Sequence, residues 1–385
     1  MRRTFRYQLH PTADQERVLI EWLHVDQQLY NAALQHRRDA WDHEKRQRQI
    51  ALDRGLRRKN APTPALYDQF LELTTLRACD ASIAAVPTRV ARSALRRVDH
   101  AFKSFFKRVK IGQVPGYPRF KTRDRYDSFS IGRVSPQGEG RGSRHAHVRI
   151  PKLGLVRFHE YRLLRGKVLD VTVRRVANRW YVCFACDLGE STKKVVVRSA
   201  TGIDVGLTTF ATLSDGTEYA NPKHFRAGEE RLARRQRSLS GTQSGTGARR
   251  RASLLVQKTH EHIKNQRLDH ARKLAAILVA KYDLIAYEDL NIRGMVRGHL
   301  GKSISDAGWG TFIHALTCKA EEAGKWCVPV DPRGTTQRCS ACGQTVAKTL
   351  SQRQHVCSCG LALGRDENAA RNILALGRSV VAGMA

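Results

Sequence analysis

The sequence predicts a multidomain α+β chain, and three observations lead there. Residues 1–10 and the stretch 148–188 are rich in β-formers, whereas 90–109 repeats apolar residues at helical spacing. Two short apolar runs, 201–207 and 284–288, each carry an acid in strand-like surroundings. Cys339, Cys342, Cys357 and Cys359 crowd into a loop-rich segment that leads directly to a helix opening at Asp366. At 385 residues the chain is long enough for two or three separate cores.

The elements follow in order. Phe5, Tyr7 and Leu9 alternate with polar residues, which predicts a strand. Thr12 and Gln15 have capping-box spacing, and Leu19, Trp22, Leu23, Asp26 and Tyr30 continue at helical period. Val90, Leu95, Val98, Phe102, Phe105, Phe106 and Val109 predict a long amphipathic helix whose phenylalanines belong to a core. Its other face is basic, with Arg92, Arg96, Arg97, Lys103 and Lys107. The turn-rich stretch 112–118 breaks the pattern, and Val168, Val171, Val173, Val176, Trp180, Tyr181 and Val182 then supply a β-rich unit. Cys183 and Cys186 have knuckle-like spacing, but residues three apart on a strand face opposite sides, so packing is expected rather than metal ligation.

A new domain is expected from Val195. Its strand 201–207 is expected to return after the Ser214-Asp215-Gly216 turn. The Ser-, Gly- and Thr-rich stretch 238–247 reads as a loop joining two helices. After Ser305, a helix carries Trp309, Phe312, Ile313, Leu316 and Ala320 on one face and closes at Gly324.

Sixty-eight Lys and Arg against 35 Asp and Glu give a formal charge of +33. That excess calls for a polyanionic partner, and nucleic acid is the natural one. Basic clusters such as Arg37-Arg38, Arg57-Arg58-Lys59, Arg174-Arg175 and Arg249-Arg250-Arg251 run along the whole chain, so an extended channel fits better than a basic tail. The basic face of the 90–109 helix is the candidate for touching phosphate. No run of 18 apolar residues and no signal-peptide pattern is present, so a cytoplasmic protein is expected, gathered on the nucleoid when bound to DNA. Nine cysteines without a secretory signal predict reduced thiols and metal ligation rather than disulfides.

Three acids stand in unusual surroundings. Asp204 lies within an apolar strand, Glu288 ends the apolar run that begins at Leu284, and Asp366 opens a helix whose Ala369, Ala370, Ile373 and Leu374 read as buried. Singly, each has a plain reading as a satisfied polar residue, an exposed strand end or an N-cap. Together, in so basic a chain, they match the carboxylates of a two-metal phosphodiesterase, and a sheet-first domain with a late acidic helix suits an RNase H-like architecture. Periodicity leaves Glu288 and its neighbour Asp289 as alternatives. The cysteine spacing predicts a structural Cys₄ zinc site, with His355 as a possible substitute ligand because Cys357-x-Cys359 is one residue tighter than a knuckle. Redox chemistry is the rival reading, but no thioredoxin-like βαβ pattern surrounds these cysteines.

At this point the chain resembles the TnpB family, also called OrfB, transposon-encoded RNA-guided nucleases related to type V CRISPR effectors. The resemblance rests on the residues from Tyr7 to Thr12, on Gly116-Tyr117-Pro118-Arg119-Phe120-Lys121 with Tyr126-Asp127-Ser128-Phe129, and on three RuvC-like motifs: Gly202-Ile203-Asp204-Val205-Gly206, Tyr287-Glu288-Asp289-Leu290 and Arg365-Asp366-Glu367-Asn368-Ala369-Ala370. Thr335-Thr336-Gln337-Arg338-Cys339-Ser340-Ala341-Cys342-Gly343 resembles the family's approach to its zinc ribbon. Two departures stand out: the second cysteine pair is one residue short, and Gly364 replaces the first Asp of the family's Asp-Arg-Asp.

The resemblance implies that Asp204, Glu288 and Asp366 hold two Mg²⁺ ions, which favours Glu288 over Asp289, and that the four cysteines hold one Zn²⁺. It implies a β-rich wedge with its first strand at 1–10 and remainder at 111–197, a helical recognition insert at 11–110, a RuvC-like nuclease domain at 198–335 and 363–385, and a zinc ribbon at 336–362. The implied partners are a guide RNA from the transposon end and double-stranded DNA bearing a short motif beside the target. The expected activity is hydrolysis of DNA phosphodiester bonds. A non-cutting RNA-guided repressor, a guide-free RNase H-like resolvase and a strand-joining transposase are the alternatives.

Overall fold

The computed structural model describes residues 2–56, 63–137, 146–189, 193–349 and 352–383, and the basic run Arg57-Arg58-Lys59 lies outside them. The chain divides between Gly189 and Glu190 into two units.

The first unit begins with β1 (Arg2–His10), whose Phe5, Tyr7 and Leu9 point into the core while the residues between them stay more exposed. Thr12 then caps α1 (Ala13–Asp53): its hydroxyl accepts from the Gln15 backbone, and the Gln15 side chain accepts from the Thr12 backbone. Next come α2 (Leu66–Cys79), α3 (Ala81–Ala85) and α4 (Thr88–Lys110). Strands β2 (Ser128–Gly132), β3 (Pro136–Gln137), β4 (Ala146–Ile150), β5 (Gly154–Phe158), β6 (Lys167–Val176) and β7 (Arg179–Asp187) complete an antiparallel sheet in the order β2-β6-β7-β1-β5-β4-β3. The helices are thus an insert between the first strand and the rest of one sheet. One face of that sheet, including Phe129, Val148, Val171, Val173, Val182 and Phe184, buries against Leu19, Trp22 and Leu34 of α1 and Val90, Ala94 and Val98 of α4. Cys183 and Cys186 both lie on β7, and only Cys186 reaches the core, as alternation along a strand requires.

Three readings of this unit change. Strands begin at Ser128, well before 148. The phenylalanine stripe of α4 joins the core only in part: Val98 is buried and half-buried Phe102 packs against the core, but Phe105 is half-buried outside it and Phe106 is 61% exposed. The basic face is also largely occupied. Arg92 and Arg96 lie over Phe70, Arg97 lies over Tyr126 and donates to Ser128, and Lys103 pairs with Asp99.

Asp26 of α1 is fully buried, and neither carboxylate oxygen has a hydrogen-bond partner. Burial pushes its carboxyl well above the usual range, against the pull of Arg97. A carboxyl whose folded pKa is raised binds its proton more tightly in the fold than in the unfolded chain. It therefore costs stability progressively as pH climbs above the unfolded value of about 3.9.

The second unit holds β8 (Ala200–Val205), β9 (Thr209–Leu213), β10 (Glu218–Ala220), α5 (His224–Ser240), α6 (Gly247–Lys281), β11 (Leu284–Glu288), α7 (Ile292–Met295), α8 (Gly301–Ala307), α9 (Trp309–Glu322) and β12 (Trp326–Val330). The hairpin β13 (Gln354–Val356) and β14 (Ala362–Gly364) and the helix α10 (Arg365–Ala382) follow. Its main sheet runs β10-β9-β8-β11-β12, with β8, β11 and β12 parallel and the other pairings antiparallel. The strand bearing Asp204 reverses earlier than expected, at residues 206–208, and the Ser214-Asp215-Gly216 turn makes a second reversal into β10. Gly206 permits the first turn, since a Cβ there would lie 2.7 Å from the Thr209 carbonyl.

Odd positions of the central strands, Ile203 and Ile285, face a core built with Leu274 and Leu278 of α6 and Phe312 and Leu316 of α9. Even positions face α10, where Ala286 packs with Ile373 and Val330. Contact on that side is backbone-close. A Cβ on Gly202 would lie 2.0 Å from the Ala370 carbonyl oxygen, and one on Gly377 would lie 2.4 Å from the Ala286 Cβ.

Two outcomes are expected. Asp26→Asn should lessen the decline in thermal stability between pH 4 and pH 7 and raise the melting temperature at pH 7, measured by circular dichroism. Gly202→Ala should destabilise by at least roughly 1–3 kcal/mol in denaturant titration, since neither strand nor helix backbone can yield without repacking.

Candidate active site and metal centre

The register of the central strands decides where two of the acids go. Tyr287 pairs with Ile203 across parallel β11 and β8, so the next residues, Glu288 and Asp204, stand side by side at the carboxyl ends of neighbouring strands. Both are even-numbered and share the face on which Gly202 and Ala286 meet α10. The first turn of that helix carries Asp366. Asp289 alternates away and is exposed.

The electrostatics follow from this convergence. Burial, then the charges of Glu288 and Asp366, push the Asp204 carboxyl well above the ordinary range, against the pull of Arg365 and of a backbone hydrogen bond from Val205. Burial also raises Glu288, and a hydrogen bond from Thr335, whose Oγ1 lies 2.5 Å from Glu288 Oε1, acts the other way. Arg365 Nε contacts Asp366 Oδ1 at 3.0 Å. A carboxyl group whose proton affinity is raised by desolvation and by two converging acids favours an added cation.

The cysteine segment forms a second candidate centre beside this helix in sequence. The sulfur atoms of Cys339, Cys342, Cys357 and Cys359 all lie within 4.8 Å of one another and could hold a metal ion. Cys339 and Cys359 are 3.7 Å apart and Cys342 and Cys357 are 3.6 Å apart, close to the roughly 3.8 Å edge of a tetrahedron with 2.3 Å metal–sulfur bonds. The short second pair closes because Gly360 takes φ +90°, while the Cys357 N–H bonds to the Leu361 carbonyl. Gly343, at φ +79°, closes the first pair with an N–H bond to the Cys339 carbonyl. The backbone N–H of Cys342 does most to pull the Cys339 thiol down toward the metal-binding thiolate, while, against the backbone N–H of Gln344, the sulfurs of Cys359, Cys357 and Cys339 push Cys342 up. His355 is fully buried with its Nδ1 against the Lys348 ammonium, and it stands outside the sulfur quartet.

Two side chains of α10 tie this segment to the helix. Asn368, fully buried, donates to the Arg338 carbonyl at 2.8 Å and accepts from the Ser340 N–H at 2.9 Å. Asn372 donates to the carbonyls of Thr335 and Arg338. These positioning groups escape sequence reasoning because their partners are backbone atoms some thirty residues away. Only the Thr and Asn within the quoted motifs hint at them.

Comparison with known proteins gives the chain a family. The OrfB_IS605 family, described as a probable transposase, matches residues 183–298, and a family described as the Cas12f1-like TNB domain matches 309–373. A protein of Streptomyces pristinaespiralis named "Putative RNA-guided DNA endonuclease" is 32% identical over 98% of this chain and 90% of its own length. "Putative RNA-guided DNA endonuclease InsQ" of Escherichia coli K12 is 30% identical over 77% of this chain and 76% of its own. The chain belongs to the TnpB family. The architecture is also similar to that of a Cas12f1 chain solved by cryo-electron microscopy with a guide RNA and target DNA, with a TM-score of 0.57 over 97% of this chain and 98% of that one, at 13% identity. A further family, described as a helix-turn-helix domain, matches residues 1–46, yet in this TnpB-family chain that stretch is one strand and a single uninterrupted helix. Among the described residues no helix is long and apolar enough to cross a membrane.

Metal analysis of the purified protein should find about one thiolate-bound ion per chain. Cys357→Ser should lose that ion and lower the melting temperature. Full metal retention in the variant would show that the quartet is not its ligand set.

Proposed function

We propose that this protein is an RNA-guided DNA endonuclease whose RuvC-like domain uses Asp204, Glu288 and Asp366 to hold two Mg²⁺ ions. The carrying observation is the Asp204 carboxyl, half-buried at a strand end, with its proton affinity raised by desolvation and then by the charges of Glu288 and Asp366. Such a group is costly in the free protein and useful once a cation neutralises it. Oxygen donors of this kind suit Mg²⁺, and a pair of such ions about 3.5–4 Å apart is the arrangement that phosphodiester hydrolysis uses. Bound there, the ions would activate a water molecule and stabilise the leaving oxygen of a DNA phosphodiester.

The chain's own groups have distinct tasks in this reading. Asp204 and Glu288, fixed on adjacent parallel strands, form the rigid side of the site, and Asp366 closes it from the helix. The Thr335 hydroxyl orients one Glu288 oxygen and leaves the other for a ligand. Arg365 restrains Asp366 and adds positive charge beside the place a phosphate would occupy. The four cysteines would hold one structural Zn²⁺ in a ribbon that Asn368 and Asn372 anchor to the catalytic helix.

The partners in this reading are a guide RNA from the transposon end, which base-pairs with the target, and double-stranded DNA bearing a short motif beside it. The formal charge of +33 supports binding both. The two relatives named as RNA-guided DNA endonucleases support the guided reading. All three acids are present, so no observation favours a non-cutting repressor.

Asp204→Ala should lower cleavage of a guide-matched DNA duplex by at least about a thousandfold, the loss of several kcal/mol of transition-state stabilisation. RNA-dependent DNA binding, read by gel shift, should change little. Cutting at the original rate would remove Asp204 from the mechanism.

A further inference from the structure

The end of α4 and the segment that follows it carry an exposed aromatic surface that the nuclease site does not use. Phe102, Phe105, Phe106 and Tyr117 touch ring to ring, with centroids 5.2–6.3 Å apart and mostly edge-on or steeply tilted. Arg38 of α1 lies over both Tyr117 and Phe120, at 5.9 and 5.2 Å from their centroids. Despite this mutual support the outer rings remain open: Phe106 is 61%, Phe120 44% and Tyr117 43% exposed. Water-facing aromatics held this rigidly lose little freedom on meeting a flat ligand.

Charge identifies the occupant. Between Asp99 and Asp124 the sequence carries seven Lys and Arg and no acid. Lys107, Arg108, Lys110, Arg119 and Lys121, next to the rings in sequence, are all exposed. A second copy of this chain would bring the same cations against themselves. A purely apolar partner would have to desolvate them. A strand of nucleic acid satisfies both features, its phosphates meeting the cations and its bases meeting the rings. Within a continuous duplex the base faces are covered by their neighbours, so open rings select bases that are not stacked in a helix.

We propose that Phe106, Tyr117 and Phe120 form a stacking platform for unpaired bases, placed on the first unit to hold a nucleic-acid strand where its pairing is interrupted. The proposal rests on the nucleic-acid reading above, but it concerns a surface separate in sequence from the three acids.

The test uses full-length protein freed of nucleic acid and a single-stranded DNA oligonucleotide with 2-aminopurine in place of one adenine. Stacking should quench the fluorophore, and the same oligonucleotide paired in a blunt duplex should show much less quenching. Phe106→Ala with Tyr117→Ala should weaken single-strand binding roughly 10- to 100-fold and abolish the quenching. Phe106→Trp should preserve both, whereas Phe106→Leu, equally apolar, should lose the quenching. Because Phe106 is mostly exposed, these variants should melt like the parent. Unchanged affinity and quenching in the double alanine variant would overturn the platform. So would sedimentation showing a dimer that this variant dissociates, since the surface would then serve self-association. Neither result bears on Asp204→Ala, which tests cutting alone, so the two readings fail separately.

Discussion

The close approach of helix α10 to strands β8 and β11 is the contact that sets the geometry of the second unit's candidate site. Two glycines make it possible, one on each partner. Gly202 lets the helix backbone reach the strand, and Gly377 lets the Ala286 methyl nest against the helix. Any side chain at Gly202 would lift the helix, and its first turn would move with it. Asp366 stands in that turn, while Asp204 is two residues along the strand from Gly202. A packing constraint measured in tenths of an ångström therefore sets the spacing of charged groups that belong to opposite ends of the unit's sequence.

Bringing three carboxyl groups together opposes folding, and the surrounding structure offsets only part of that cost. Arg365 and the Thr335 hydroxyl each stabilise one acid, but Asp204 stays raised by burial and by its neighbours. A protein selected for stability alone would place an apolar residue there. The same logic separates Asp204 from Asp26. Asp26 is fully buried and raised, but among the described residues the charge that acts on it is that of Arg97, where Asp204 meets two acids. Burial perturbs both groups, and only the convergence distinguishes a candidate site from an awkward core residue.

Much of this was legible in the sequence wherever a local rule applied. Thr12 and Gln15 announce the start of α1, and an acid inside an apolar strand announces Asp204. The cysteine spacing announces the sulfur quartet. What stayed hidden depends on distance along the chain. Periodicity shows which side of α4 is apolar but not where the sheet beneath it stops, so Phe106 reads as core and is mostly exposed. Arg92 and Arg97 read as free cations because the rings they cover, Phe70 and Tyr126, lie elsewhere in the sequence. Gly202 and Gly377 look like ordinary glycines until strand and helix meet.

The cysteine segment illustrates how loosely spacing specifies geometry. One residue fewer between Cys357 and Cys359 is a departure in sequence, yet the sulfurs still converge, because a left-handed Gly360 turns the chain as sharply as Gly343 does in the longer pair. What matters is that both turns present two sulfurs toward one point. The segment also bridges the end of β12 and the start of α10, a span of more than thirty residues with only a two-stranded hairpin of its own among the described residues. Left unbraced, such an insert would add conformational entropy next to the helix that must be held most firmly. A metal ion held by the four sulfurs would cross-link the two turns, and the bonds from Asn368 and Asn372 fasten the segment to α10, which shortens the free length that can pull on Asp366. Through such a metal the four thiols would bear on the candidate acid site, by limiting how far Asp366 can move.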